Sequence, residues 1–390
     1  MFEMTSDYPN TQITGVDISP VQPTEIKLQN VNFVKANLLN GLPFENDTFD
    51  YIFQRFLFSA IPKDSWPDVM NELTRVLKPG GYLESLSMGS LISKNDSKDL
   101  PTSDDHFTNF QYLGGRRYHN ESNSSYFLPN DDKECDRLHL QHFLIKSVRQ
   151  GNFSAPVEDI LNKEGSKVLD VGCGAGSWTF DMATNYPKSQ IVGIDISPIP
   201  SSSEIKPKNI TFIQTNVLNG LPFEDNSFDF IFQRFLILGI PADKWNFLIN
   251  ELIRVLKPGG FLELIETSPK FSPMGPYTSE LMKSGREMLI KKNLNPNVAY
   301  ELESLIANQE ELENNKCVKY QIFYGNKADK LGQTAILNQK NIFSTTKIHM
   351  MNALQVGSEE YDVFTKNVLE ELREYESTQD FNCVYASKIF

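Results

Sequence analysis

The sequence predicts an α/β fold, doubly wound about a mostly parallel sheet, and three observations predict it. Short aliphatic runs alternate with segments of helical spacing between Lys167 and Ile265, and strands that alternate with helices build a parallel sheet covered on both faces. A glycine-rich turn, Gly172-Cys173-Gly174-Ala175-Gly176, joins the first of those runs to the first helix. The stretch from the second strand to the fifth occurs twice in the chain, so a partial copy of the same fold precedes the complete one.

The elements of the complete copy follow in order. Lys167–Val171 is β-branched and aliphatic and runs into a glycine, the pattern of a buried strand. A helix starts near Ser177 and is stopped by Pro187. Gln190–Asp195 and Ile210–Gln214 read as the second and third strands. Residues 228–232 read as the fourth, introduced by the polar turn Asp225-Asn226-Ser227. Residues 244–255 place Trp245, Leu248, Ile249, Leu252 and Val255 at helical spacing. Lys257-Pro258-Gly259-Gly260 ends that helix and turns the chain into a fifth strand, 261–265. Beyond Ser268 the pattern predicts helices over 279–292 and 299–309 and a strand over 319–324. An amphipathic helix over 359–375 has Tyr361, Phe364, Val368, Leu369 and Leu372 on one side, and a last strand covers 381–387. Upstream, 120–132 is polar and reads as loop, followed by a helix through 138–148.

The repeat decides the organisation. Gly15-Val16-Asp17-Ile18-Ser19-Pro20 returns as Gly193-Ile194-Asp195-Ile196-Ser197-Pro198, and Phe53-Gln54-Arg55-Phe56-Leu57 as Phe232-Gln233-Arg234-Phe235-Leu236. Residues 25–84 against 204–263 give roughly 37 identities in about 60 positions without gaps, at a period too long for a solenoid. The first copy has no counterpart of anything before Thr179, so it lacks the glycine turn and the strand before it. Loss of that front, or an unread upstream exon, leaves the same pattern. An in-frame upstream glycine motif in the native transcript distinguishes the two. The expected domains are a truncated copy over 1–95, a linker over 96–109 and the complete copy over 110–390. The truncated copy is expected to bind no ligand. Its second and fourth strands either pair directly, in a rearranged sheet, or pack on the complete copy, and unpaired edges favour aggregation.

Composition excludes several classes. The 390 residues carry 37 Lys+Arg against 50 Asp+Glu, a net charge of -13, which argues against a protein that coats nucleic acid. A hydrophobic fraction of 40% with 22% charged residues fits a soluble globular chain. No apolar run approaches the ~18–20 residues of a membrane span, and Met1-Phe2-Glu3-Met4 opens no signal peptide. Cys135, Cys173, Cys317 and Cys383 are scattered, with no metal-ligand spacing, so neither a metal site nor a disulfide framework is expected. A cytoplasmic location is expected, with the nucleus left open.

The glycine turn brings free helix N–H groups and a close-approaching backbone to one point. Asp195 ends the next strand 19 residues after Gly176, near the ~20-residue offset at which an acid holds ribose hydroxyls. That combination suits a dinucleotide or an adenosyl ligand. Asp170, two residues before the first glycine, separates them: a carboxylate there repels a pyrophosphate and suits a ligand with an ammonium group. Ser177 also stands where a dinucleotide fold has its third glycine.

With Val168-Leu169-Asp170-Val171-Gly172-Cys173-Gly174-Ala175-Gly176, Gly193-Ile194-Asp195-Ile196-Ser197, Thr215-Asn216-Val217, Phe228-Asp229-Phe230-Ile231-Phe232-Gln233-Arg234 and Leu256-Lys257-Pro258-Gly259-Gly260 in this order, the sequence resembles a class I S-adenosylmethionine-dependent methyltransferase. Arg117-Tyr118-His119, Leu128-Pro129-Asn130-Asp131 and Asp136-Arg137-Leu138-His139-Leu140-Gln141-His142 make it similar to a fungal group of these enzymes. The resemblance implies a Rossmann-like, mostly parallel seven-stranded sheet and S-adenosyl-L-methionine as cofactor. It implies methyl transfer by in-line displacement to an unidentified acceptor, a small molecule. Asp170 with the backbone of Gly172, Cys173, Gly174 and Gly176 would hold the methionine end, Asp195 the ribose, and Ile196, Asn216 and Val217 the adenine. Phe232, Gln233 and Arg234 would lie beside the methyl group, with Gln233 and Arg234 the acceptor-side candidates. Tyr118, His119 and Tyr126 are candidates for a lid, and Trp178 for packing at the helix start. No histidine stands in a catalytic motif. The alternative function is a cofactor-binding regulatory or interaction protein with little catalysis.

Overall fold

The computed structural model describes residues 10–17, 30–55, 61, 65–86, 110–120, 126–197, 207–325 and 330–390. It divides into two units, Met1–Lys94 and Asn95–Phe390. The expected linker 96–109 and the side chains of Asp17 and Arg55 lie outside the described residues.

In the first unit β1 (Ile13–Asp17) pairs in parallel with β2 (Val31–Lys35), and β3 (Phe49–Arg55) pairs in parallel with β4 (Leu77–Leu86). Helix α1 (Trp66–Val76) connects the second pair and buries Val69 and Leu73 against Ile61, with Ile52 and Leu83 alongside. Direct pairing of the second- and fourth-strand counterparts, one of the two expected arrangements, is not found among the described residues. β1 and β3 belong to separate two-stranded sheets. Each strand keeps the partner that follows or precedes it in the chain.

The second unit opens with a hairpin, β5 (Phe110–Leu113) and β6 (Arg116–His119), turning through Gly114 and Gly115, both at positive φ. Helix α2 (Asp132–Arg149) starts six residues before the expected 138. Asp131 caps it by accepting a hydrogen bond from the Glu134 backbone N–H at 3.1 Å. After α3 (Glu158–Leu161) come β7 (Lys167–Val171), α4 (Ser177–Asn185), β8 (Gln190–Asp195), β9 (Ile210–Gln214), β10 (Phe228–Arg234), α5 (Trp245–Val255) and β11 (Leu256–Ser272). The chain then forms α6 (Pro276–Lys291), α7 (Val298–Ala307), β12 (Leu312–Phe323), α8 (Lys330–Leu354), α9 (Ser358–Glu374) and β13 (Thr378–Lys388). The seven strands form one sheet in the order β12-β13-β11-β10-β7-β8-β9. Only β13 runs against its neighbours, pairing antiparallel with β11 and with β12. β7 is central, flanked by β8 and β10.

Alternation along the strands builds two layers. Val168, Phe230, Phe232 and Ile265 face one side, with Trp178, Leu144 and the α6, α8 and α9 helices. Leu169, Val171, Ile231 and Leu264 face the other, with α5 and α7. Both layers are buried, so the strands read as continuous apolar runs. β11 is far longer than the expected 261–265. Its register with β10 shifts between Phe228 and Phe230, which absorbs Lys257-Pro258-Gly259-Gly260 into the strand. A Cβ on Gly260 would stand 2.9 Å from the Asp229 carbonyl oxygen, so this close approach needs a glycine. Helix α8 lies in a stretch where the sequence pattern predicted nothing.

Candidate active site

The site forms at the carboxyl ends of β7, β8 and β10, where an open α/β sheet places its ligands. β7 delivers the chain into a turn whose glycines 172, 174 and 176 all have positive φ. Two of them also lack room for a side chain: a Cβ on Gly172 would meet Leu236 at 2.4 Å, and one on Gly176 would meet the Phe212 ring at 2.9 Å. The Gly174 N–H donates to Asp195 Oδ2 at 2.8 Å, and the Ser197 N–H donates to Asp195 Oδ1 at 2.8 Å. Asp195 thus fastens the glycine loop to the end of β8. Each of its oxygens keeps a lone pair for a further donor.

Asp170 lies on β7 beside Gly193 of β8. It is 3% exposed and accepts a hydrogen bond from Thr179 Oγ1 at 2.6 Å. Burial pushes its pKa up to about 7, against the opposing pull of Thr179 and Arg234. Burial likewise raises the pKa of Asp195. Two buried carboxyl groups at one cavity gain from a ligand that brings a positive charge and hydroxyl donors.

Arg234 ends β10 and lines the same cavity. Burial lowers its pKa to about 10, against the opposing pull of Asp170. Its guanidinium stands 3.4 and 3.5 Å from Nδ1 of His142, a 1% exposed residue on α2. His142 Nε2 lies 3.2 Å from Asp181 Oδ2, which also accepts from Lys146 Nζ at 2.7 Å. With the proton on the Nε2 that faces the carboxylate, Nδ1 is left to face Arg234. The sequence motif containing His142 was visible, but its connection to β10 was not.

The cavity encloses about 330 Å³. Asp170, Gly172, Cys173, Gly174, Asp195, Ile196, Asn216, Val217 and Arg234 all line it, as does Tyr126 of the expected lid. Tyr118 instead borders a smaller hollow with His349 and Lys292. Asn216 has a local task as well: its side chain caps the turn Val217–Asn219 by accepting from the Leu218 N–H at 3.0 Å. Burial pushes the Cys173 thiol well up, which leaves it unreactive.

Three expected site residues do not line the cavity. Gly176 is the left-handed cap of α4 and admits the Phe212 ring. Phe232 is fully buried and stacks on Trp178, with ring centroids 4.0 Å apart at 1°. Trp178 packs as expected, though its edge also reaches the cavity. Gln233 turns away and donates to Glu266 Oε1 at 2.7 Å. Glu266 escaped the sequence reading. It also accepts from the backbone N–H groups of Leu236 and Ile237 at 2.6 and 3.2 Å, so it pins the loop after β10. Burial lifts its pKa to about 8.

A family model described as a methyltransferase domain matches residues 1–81 and 168–260. The chain is 32% identical over 200 residues to methyltransferase pytC of Aspergillus terreus, covering 51% of this chain and 58% of that protein. It is 30% identical over 204 residues to the secondary metabolism regulator laeA of Aspergillus flavus, covering 48% of each. It is 26% identical over 281 residues to N-methyltransferase gliN of Aspergillus fumigatus, covering 69% of this chain and 98% of that protein. The chain therefore spans about half the length of pytC and laeA and nearly all of gliN. Among solved structures, phosphoethanolamine N-methyltransferase 2 of Haemonchus contortus in complex with S-adenosyl-L-methionine is similar with a TM-score of 0.42 at 15% identity, covering 97% of this chain and 95% of that one. Among the described residues no helix is long and apolar enough to cross a membrane.

Proposed function

We propose that the chain is a class I S-adenosylmethionine-dependent methyltransferase, a reading supported by the methyltransferase-domain match and the sheet order, and that Asn95–Phe390 transfers a methyl group from S-adenosyl-L-methionine to a small-molecule acceptor at one site. The observation that carries this reading is the pair Asp170 and Asp195 on adjacent strands, with the glycine loop between them, on a single cavity. Asp195 retains acceptor capacity for the two ribose hydroxyls. Asp170, close to neutrality in its protonation, ionises when an ammonium group is brought beside it. The backbone of Gly172, Cys173 and Gly174 approaches the methionine end, and Arg234 supplies a positive charge for a carboxylate. Ile196 and Val217 offer apolar surface to the adenine.

When bound, the cofactor supplies a methyl group on a sulfonium, ready for displacement by a nucleophile. The protein's contribution is then position and desolvation, which reach ~7–11 kcal/mol in well-oriented systems. A general base is needed only where the acceptor must lose its proton in the reaction. Glu266 and His142 act through Gln233, the loop after β10 and Arg234, and are positioning residues.

The test is mass spectrometry of a small-molecule extract incubated with the protein and isotopically labelled S-adenosyl-L-methionine. A labelled product with the wild-type chain, absent with Asp195→Ala, is expected. Tight S-adenosylhomocysteine binding with no labelled product in any fraction would instead favour a regulatory protein.

A further inference from the structure

We propose that the acceptor is an uncharged, largely apolar molecule that presents one N–H or O–H donor to the side-chain oxygen of Asn338. This rests on the methyl-transfer reading and deepens it.

The charges that line the cavity are confined to one part of it. Asp170, Asp195 and Arg234 stand at the ends of β7, β8 and β10, and Arg137 stands on α2. Arg137 is neutralised by Glu134, whose carboxylate oxygens accept from its Nε at 3.0 Å each. Much of the remaining wall comes from the end of β11, from α6, from β12 and from α8, and none of the side chains these elements contribute is ionisable. Leu281, Met282 and Met288 of α6 face Ile342 and Phe343 of α8 across it, with Phe271 of β11. A charged acceptor entering there would lose its hydration and meet no counter-charge.

The polar side chains of Thr267, Gln339, Thr345, Thr346 and Gln379 also reach this wall, but among the lining residues there only Asn338 has a buried polar atom with no partner. Asn338 lines the cavity from the middle of α8 and is 3% exposed. Its Oδ1 is buried and has no hydrogen-bond donor among the described residues. An unmet buried acceptor costs about 1–3 kcal/mol, and an apolar side chain of the same shape would avoid that cost. Asn338 is too far inside the helix to cap either end. A turn of the amide toward the cavity that Asn338 lines lets a donor carried in by the acceptor satisfy this oxygen, and so orients the acceptor beneath α8.

The experiment uses equilibrium dialysis of the full chain saturated with S-adenosylhomocysteine, at pH 7.5, against three probes. 2-Naphthol is neutral with a donor, 2-methoxynaphthalene is neutral without one, and 2-naphthoate is an anion. 2-Naphthol is expected to bind about tenfold tighter than 2-methoxynaphthalene, and 2-naphthoate to show no saturable binding. Asn338→Leu is expected to erase the tenfold preference with S-adenosylhomocysteine affinity unchanged. Asn338→Asp, which keeps an acceptor oxygen, is expected to retain it. If Asn338→Leu no longer binds S-adenosylhomocysteine, Asn338→Ala takes its place with the same two readings. 2-Naphthoate binding as tightly as 2-naphthol, a preference that survives loss of the amide, or no binding of any probe overturns the proposal. Failure of S-adenosylhomocysteine to bind the wild-type chain overturns the methyl-transfer reading instead. The probes then test the amide without it.

Discussion

Residues 49–86 and 228–265 build the same local structure, and the second set borders the cavity at the ends of β7, β8 and β10. In both, an arginine near the end of the helix ties the preceding loop together. Arg75 donates to the Phe44 and Leu42 carbonyls at 2.9 and 3.1 Å, and Arg254 donates to those of Phe223 and Leu221 at 2.8 and 2.9 Å. Glu72 and Glu251 accept from the backbone N–H of Leu42 and Leu221. Asn37 and Asn216 cap equivalent turns, and Asp47 and Asn226 take φ of 56° and 54°. The strand registers, with their irregularity, coincide. The difference begins where contacts become long-range. Phe232 is fully buried on Trp178, whereas its counterpart Phe53 is 40% exposed. Local structure travels with a copied sequence. The cavity in the second unit rests in addition on β7 and on the bond between Gly174 and Asp195.

The largest contrast is expected in the core. Phe232→Ala should cost about 3–5 kcal/mol, while Phe53→Ala should stay within about 1 kcal/mol. Chemical denaturation of the full chain, followed by hydrogen exchange in each unit, reads both. Equal costs would mean that the two strands are equally supported.

Next comes Asp170, which has no counterpart in the first unit. Its folded pKa of about 7 lies above the ordinary 3.8, so between those values the folded chain holds a proton that the unfolded chain has lost. Stability therefore falls as pH rises from about 4 to about 7 and levels off above that. Asp170→Asn should flatten this part of the fall and stabilise the ligand-free chain at pH 8 by on the order of 2 kcal/mol. The same change should weaken S-adenosylhomocysteine binding. Thermal unfolding across pH 5–9 measures the first effect, and an unchanged pH profile would contradict it.

The smallest effect is one the two regions should share. Arg75→Ala and Arg254→Ala should each loosen the loop they tie. Amide exchange over 42–48 and 221–227 detects this. A loss confined to the second unit would show that the copied network is not equivalent.

Most of the sheet was legible because β7 to β10 are short, apolar and bounded by glycine or polar turns. Asp170 and Asp195 were legible because an acid at the end of an apolar strand has few other uses. Helix α8 was not, since it is buried on several sides and carries Asn338 and Gln339 at buried positions, so no single stripe marks it. Glu266 was hidden inside a strand read for its apolar residues, and the tie from His142 to Arg234 joins residues 92 apart in the chain. The contacts of Phe232 and Gln233 were hidden for a related reason. Position at a strand end was legible, but the side each residue faces was set by alternation against Trp178 and Glu266.

The central claim is one cofactor site, in the second unit. Calorimetric titration of the full chain with S-adenosylhomocysteine tests it most directly. One ligand per chain is expected, with binding lost in Asp195→Ala and unchanged in Asp17→Ala. Two ligands per chain, or binding lost in Asp17→Ala, would contradict it.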